Sequence, residues 1–315
     1  MDIASCAPSL WKEFEERGIE IIVPLGATAL EAIGDYGKIS RVHGQAYELH
    51  QVDDKPDYIV FPMYHPAAML YNPDLFTEWS EEMEWLFQPG GPVVKKAPLV
   101  FNYQIITDPE EAIEFFRFVS TNCPLVAWDI ETAGFKVVDN DLLSVAFAWS
   151  PTEAAVMPGE LLYDVSAVCE AFQAAASSNA VHWGGHNASF DVARLASLLD
   201  IHVPIDQDSM LLHYCLNEMR GTHGLKQLAM RYLHAPDWEH DIKQYLPSTK
   251  ASYSNIPEEV LWRYNVQDVI FTYRLIKYLL PQVEQDPSLR RLYYDLLLPS
   301  SRTFTRITRE GVRVD

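Results

Sequence analysis

The sequence predicts an α/β protein of two domains. Length is the first reason: at about 150 residues per domain, 315 residues divide into two. The second is an alternation of short apolar, strand-like runs with helix-length amphipathic segments. The third is the stretch Gln88-Pro-Gly-Gly-Pro-Val-Val-Lys-Lys-Ala-Pro98, whose prolines and glycines fit neither a helix interior nor a central strand. It is expected to be a linker over residues 89–98, after a domain at 1–88. With 48% apolar and 22% charged residues the composition is globular and excludes disordered and collagenous classes. No apolar run approaches the roughly 20 residues needed to span a bilayer, so no membrane is expected as a partner. There is no internal repeat.

In the first domain, residues 10–17 read as a helix and Ile19-Glu-Ile-Ile-Val23 as a short strand. Pro24-Leu-Gly26 turns the chain into a helix at 27–33. Tyr58-Ile-Val-Phe61 is a second strand, Pro62-Met-Tyr-His-Pro66 the loop after it, and 75–87 a closing amphipathic helix. Strand, loop and helix in succession imply a parallel sheet.

The second domain opens with a strand at 101–106 and a helix at 109–119. Leu125-Val-Ala-Trp-Asp-Ile-Glu131 is an apolar, buried-looking strand. Strands at 142–149 and 154–157 follow, and the three predict an antiparallel meander. Next come a helix at 163–176, a strand at 180–183, and helices at 188–199, 209–217, 225–232 and 257–280. Pro257 followed by Glu258 and Glu259 is a favourable start for the last.

The 44 acidic and 24 basic residues leave a net charge of −20. A protein that grips duplex DNA through phosphates alone carries a basic face, so the composition excludes a simple electrostatic clamp and reads first as solubility. It suits a nucleic-acid enzyme only where bound divalent metals supply positive charge locally. Cys6, Cys123, Cys169 and Cys215 are far apart and form no C-x-x-C. That pattern excludes a disulfide framework or a self-contained zinc site and points to a reducing cytoplasm. The opening Met1-Asp2-Ile3-Ala4-Ser5 lacks the basic-then-apolar pattern of a secretion signal.

The chemistry resides in carboxylates. D-x-E occurs at Asp108/Glu110, Asp129/Glu131 and Asp237/Glu239, and alone means little in so acidic a chain. Only Asp129 and Glu131 sit on a predicted strand, where residues i and i+2 share a face. Two acids on one face of a buried strand repel each other unless neutralised, and a hard divalent cation such as magnesium or manganese is the natural partner. Gly185-His-Asn-Ala-Ser-Phe-Asp191 places Asn187 and Asp191 across a helix start. Tyr264 and Asp268, in the only Y-x-x-x-D of the chain, share a helix face at i, i+4. Taken singly, Asp191 reads as a helix-start acid and Tyr264 with Asp268 as a surface pair. Together, in this order and on these elements, they form a constellation.

That constellation resembles the DnaQ-like (DEDD) 3′–5′ exonucleases of the ribonuclease H-like fold, and its tyrosine the DEDDy subgroup, which includes proofreading domains of family A DNA polymerases. Gly224-Leu-Lys-Gln-Leu-Ala229 is similar to a helix of family A polymerases and ribonuclease D-like enzymes. The resemblance covers residues 99–283 and implies a mixed sheet flanked by helices. It implies two divalent ions (Mg2+ or Mn2+) held by Asp129, Glu131, Asp191 and Asp268, with Asp129 bridging and Asp191 often acting through water. Tyr264 would orient the attacking water, and Asn187, Phe190 and Thr132 would line the substrate site. The implied substrate is a single-stranded DNA 3′ end and the product a nucleoside 5′-monophosphate.

Two further resemblances frame this domain. Val60-Phe-Pro-Met-Tyr-His-Pro-Ala-Ala-Met-Leu and Ile21-Ile-Val-Pro-Leu-Gly-Ala-Thr-Ala resemble loops of iron–sulfur uracil-DNA glycosylases, and Cys6-Ala-Pro-Ser-Leu10 the segment of their last cluster cysteine. The match is to the later part of that fold. The water-positioning motif and three cluster cysteines have no counterpart, so no iron–sulfur cluster is expected and His65 alone is not expected to excise a base. Leu292-Tyr-Tyr-Asp-Leu-Leu-Leu-Pro299 and Glu310-Gly-Val-Arg-Val-Asp315 resemble the start of a family A polymerase domain, so that residues 284–315 are expected to begin one, implying a polymerase partner in the same longer protein or in a separate subunit. No palm carboxylates follow, so polymerisation by these residues is not expected. The expected function is proofreading. The rivals are a ribonuclease D-like RNA exonuclease and a non-catalytic scaffold for a replication partner.

Overall fold

The computed structural model describes residues 3–49, 57–73, 75–87, 92, 101–134, 141–233, 235–236, 238–246 and 251–311. The chain divides into two compact units, Met1–Ala97 and Pro98–Asp315. The expected linker lies, apart from Pro92, outside the described residues.

The first unit runs α1 (Ile3–Arg17), β1 (Ile21–Ile22), α2 (Ala27–Ile33), α3 (Ile39–Val42), β2 (Tyr47–Leu49), β3 (Tyr58–Val60), α4 (Ala68–Tyr71) and α5 (Leu75–Phe87). Its sheet has the order β1-β3-β2. β1 and β3 are parallel, as the sequence predicts, but β2 is antiparallel to β3. The sheet is therefore mixed rather than parallel. Helix α1 also begins earlier than position 10 and carries Pro8 inside it. The two glycosylase-like loops meet: Gly26 is at φ +87°, and a Cβ there would lie 3.2 Å from the His65 Cβ. Gly26 N donates to Met63 O at 2.8 Å. Glycine satisfies both the left-handed turn and the close approach. His65 itself is exposed, and its Nδ1 accepts from Ala67 N. Beneath this loop, His43 Nδ1 pairs with the buried Glu82 Oε1 of α5 at 2.6 Å.

The second unit runs β4 (Asn102–Ile105), α6 (Pro109–Asn122), β5 (Leu125–Thr132), β6 (Leu142–Ala148), β7 (Glu153–Pro158), α7 (Gly159–Asp164), α8 (Ser166–Ala176), β8 (His182–Gly185), α9 (Ser189–Leu199), β9 (Gln207–Asp208), α10 (Ser209–Leu216), α11 (Leu225–Leu233), α12 (His240–Lys243), α13 (Glu258–Gln285), α14 (Pro287–Arg291) and α15 (Leu298–Glu310). Six strands form one mixed sheet of order β4-β7-β6-β5-β8-β9. The expected meander β5-β6-β7 is antiparallel and central. β4, β8 and β9 join it in parallel. The single helix expected at 163–176 is two, because the backbone of Val165 is extended between α7 and α8. Local chemistry starts the helices. Asp108, in the first D-x-E, caps α6 by accepting from Glu110 N and Glu111 N.

The two faces of this sheet differ in bulk, and the difference positions the site. Val126, Trp128, Ile130, Val145, Phe147, Met157 and Trp183 point to one core with Phe115 and Phe116 of α6 and Phe172 of α8. Phe116 and Phe172 stack there, with centroids 4.7 Å apart. The alternate residues, Ala127, Ala146, Ala148, Ala154 and Val156, face Val266, Val269 and Ile270 of α13. An alanine face lets a helix lie close to a sheet. The 28-residue α13, about 42 Å long, is thus held against β5 with its middle buried.

Ala146→Leu inserts a bulky side chain between sheet and helix. It is expected to lower the stability of this unit by about 1–3 kcal/mol, measured by urea unfolding. Unchanged stability would show that the alanine face leaves slack under α13.

Candidate active site

Strand β5 delivers the first two carboxylates. Trp128 and Ile130 turn into the aromatic core, so Asp129 and Glu131 turn the other way, toward α13. The β5–β6 register shifts between Glu131 and Thr132, a bulge at the strand end beside the acids. Thr132 is buried, and its Oγ1 donates to Gly134 O at 2.8 Å.

The turn after β8 delivers the third. Asn187 adopts φ 58°, a left-handed conformation that asparagine tolerates. The buried Asp208 stabilises this turn, accepting from Asn187 N at 3.2 Å and Ala188 N at 2.9 Å while it also caps α10 through Met210 N and Leu211 N. α9 then points Asp191 and Phe190 into the cleft, and the Arg194 guanidinium lies 3.1 Å over the Phe190 ring centroid.

Helix α13 delivers Tyr264 and Asp268 one turn apart, both buried. Asn265, beside Tyr264, donates from Nδ2 to Asp129 Oδ2 at 2.7 Å. Ser144 on β6 in turn donates to Asn265 Oδ1 at 3.4 Å. Asp268 is held from both sides: Trp238 Nε1 donates to Oδ1 at 2.6 Å and Lys226 Nζ to Oδ2 at 2.5 Å. Trp238 is fixed by stacking on Phe271, with centroids 4.5 Å apart.

All eight residues singled out in the sequence line one cleft of about 270 Å3. Carboxylate oxygens of Asp129, Glu131 and Asp268 lie within 4.8 Å of one another. Asp191 lines the same cleft outside that tighter group. Of the other D-x-E pairs, Asp108 is a helix cap, and Asp237 lies outside the described residues. Spacing did not reveal Lys226, Trp238, Asn265, His186, Tyr253 or Asp208 as site residues. Lys226 does lie in the Gly224–Ala229 segment, the one signal that could have flagged it.

The electrostatics follow from crowding. Burial, then the charge of Asp268, pushes Asp129 up to about 8, against the opposing effects of Lys226 and Asn265. Glu131 and Asp191 are driven well above the ordinary carboxylate range by burial and by Asp129. Burial raises Asp268 too, opposed by Lys226 and Trp238. Burial and Asp268 keep Tyr264 a neutral phenol. His186, hydrogen-bonded to Ser209 Oγ at 2.8 Å, is pushed down to about 3 by burial and Lys226 and stays uncharged. Convergent hard oxygens that resist joint ionisation fit a divalent cation, which would neutralise what the protein has crowded together.

Comparison with known proteins identifies the family and the fold. Residues 103–284 match a protein family described as 3′-5′ exonuclease, and residues 1–86 match the uracil DNA glycosylase superfamily. The DNA polymerase of Escherichia phage T5 is 26% identical over 330 residues, covering 96% of this chain and 36% of that protein. The chain thus spans about a third of that relative's length. Among solved structures, the Pol1 POL domain of M. smegmatis, in complex with DNA primer-template and dNTP, superposes with a TM-score of 0.52 at 18% identity, over 68% of this chain and 33% of that one. Escherichia coli RNase D superposes with a TM-score of 0.51 at 16% identity, over 67% of this chain and 52% of that one. At such identities the superpositions establish a shared fold.

Raised carboxyls have a thermodynamic signature. The folded state keeps protons that the unfolded chain releases near pH 4, so stability falls as pH rises toward 8. In chelator, the melting temperature of the second unit is expected to fall between pH 5 and pH 8. Glu131→Gln removes one like charge and should raise the pH 8 midpoint by about 2–8 °C. A pH-independent midpoint, or a lower one in the variant, would show that the carboxylates do not strain the fold.

Proposed function

Because the chain belongs to the family of 3′–5′ exonuclease domains found in family A DNA polymerases, we propose that it removes nucleoside 5′-monophosphates from single-stranded DNA 3′ ends as the proofreading part of such a polymerase. The observation that carries this reading is the convergence of Asp129, Glu131, Asp191, Tyr264 and Asp268 on one cleft. A scaffold has no physical need for four convergent carboxylates, three of them buried.

Asp129, Glu131 and Asp268, with Asp191 at the edge, would hold two divalent ions, Mg2+ or Mn2+. When bound, these supply Lewis-acid charge to the phosphodiester and acidify a coordinated water. The chain's own residues do the rest. Asn265 aims the Asp129 carboxylate and Trp238 that of Asp268. Tyr264, kept protonated, orients the attacking water through its hydroxyl. Phe190, Thr132 and Asn187 form walls against which the terminal nucleotide rests. An acidic protein can engage a phosphate backbone here because the cations and not its surface carry the positive charge.

The polymerase is the partner, in cis within a longer chain or in trans. On this reading residues 284–315 begin the polymerase-like helical segment, after an exonuclease domain at 99–283 and a linker at 89–98, and the setting is the cytoplasm of a bacterium or an infected host. No helix among the described residues is long and apolar enough to cross a membrane. The first unit is read as a glycosylase-like module that no longer excises bases. One cysteine, Cys6, stands where a cluster would need four thiolates.

Hydrolysis of 5′-labelled single-stranded DNA with Mg2+ or Mn2+ tests the main reading. Wild type is expected to yield a ladder shortening from the 3′ end, while Asp129→Ala and Asp268→Ala lose at least about 10²–10³-fold in rate and keep the fold. Full activity in either variant would remove the assignment. Matched DNA and RNA oligonucleotides separate it from an RNA exonuclease, with faster RNA cleavage deciding for the latter. For the first unit, no uracil release from single-stranded uracil-DNA is expected, and robust release would overturn the inactive reading.

A further inference from the structure

Both oxygens of Asp268 are engaged by protein donors. Trp238 Nε1 holds Oδ1 and Lys226 Nζ holds Oδ2. The indole has nowhere else to go, being buried and stacked on Phe271. The ammonium is different. It caps a flexible four-carbon stem and keeps 22% of its side chain exposed. Its root is firm, because Leu225, Leu228 and Ala229 seat α11 in the same apolar cluster as Tyr264 and Phe271 of α13. Its tip lies 4.4 Å from the Tyr264 ring centroid and 5.4 Å from that of Trp238, an aromatic recess that favours a cation. Its charge acts on Asp129 and Glu131 as well as on Asp268.

We propose that Lys226 is a tethered counter-ion that competes with divalent metal for Asp268, so that it sets the metal concentration at which the site loads. This rests on the reading of Asp268 as a metal ligand. A cation on Oδ2 and an ammonium hydrogen-bonded to Oδ2 claim the same lone pairs and repel each other. Loading therefore requires the ammonium to swing away, and the work of breaking that contact is subtracted from metal affinity. In return, the crowded acids have a partner while the protein folds. Lys226 is thus a positioning residue, acting through Asp268.

Two variants move the readout in opposite directions. Lys226→Met keeps the stem and removes the charge. Removing a competing positive charge is expected to tighten Mn2+ binding by about tenfold or more, read by titration calorimetry or by the free-Mn2+ resonance signal, and to lower the melting temperature in chelator. Lys226→Arg grips the carboxylate with a planar fork and is expected to weaken Mn2+ binding several-fold at an unchanged or higher melting temperature. Unchanged or weaker Mn2+ affinity in Lys226→Met overturns the proposal. If Lys226→Met does not fold, Lys226→Arg decides alone, with unchanged or tighter binding as the overturning result. Wild type that neither binds Mn2+ nor hydrolyses DNA would sink the exonuclease reading itself. Wild type that does both, beside variants that bind like it, sinks only the role given to Lys226.

Discussion

Like charges held together at the end of β5 are the constraint to which the second unit answers. Asp129, Glu131 and Asp268 would separate if they could, and each is kept in place by something costly to move. Behind Asp129 and Glu131 is a strand whose other face is locked into an aromatic core. Behind Asp268 is a helix pressed onto an alanine face. Packing of this density does not yield to a few kilocalories of repulsion. On the proposed reading, that repulsion is stored as a capacity to bind cations.

The surroundings follow the same logic. Donors to the carboxylates, Asn265, Trp238 and Lys226, come from α13, from the chain beside α12 and from α11, so that no single element carries the burden. The nearby histidine, His186, is tuned to neutrality and adds no competing charge. Tyr264 keeps its proton for the same reason that the acids want theirs, since burial beside negative charge penalises another anion. An overall charge of −20 is therefore compatible with a phosphodiester substrate.

What the sequence made legible was whatever obeys a short period. Asp129 and Glu131 follow the two-residue period of a strand, Tyr264 and Asp268 the four-residue spacing of a helix, and Asp191 the acidic start of one. Lys226 was visible as part of a helix but not as a partner of Asp268, because 42 residues separate them. Trp238 and Asp208 escaped for the same reason. In the first unit the strand-loop-helix rhythm suggested a parallel sheet, which β1 and β3 make. The three-residue β2 was too short to read as a strand, and its antiparallel pairing makes the sheet mixed. The break between α7 and α8 carries no glycine or proline, so it left no local mark.

Tyr293 and Arg302 lie beyond α13, yet they reach back into the sheet. The buried Tyr293 hydroxyl accepts from Asp208 N at 2.8 Å, and Arg302 donates to Ile205 O through Nε and Nη2. Asp208 is the residue that holds the turn before Asp191. Among the described residues, this fold is thus fastened by helices that follow Asp268 by some thirty residues. A fragment trimmed at the end of α13 would keep all five side chains of the proposed chemistry and lose the latch on the loop that aims one of them. Where this fold can be cut is decided by that latch and not by the position of the final acid.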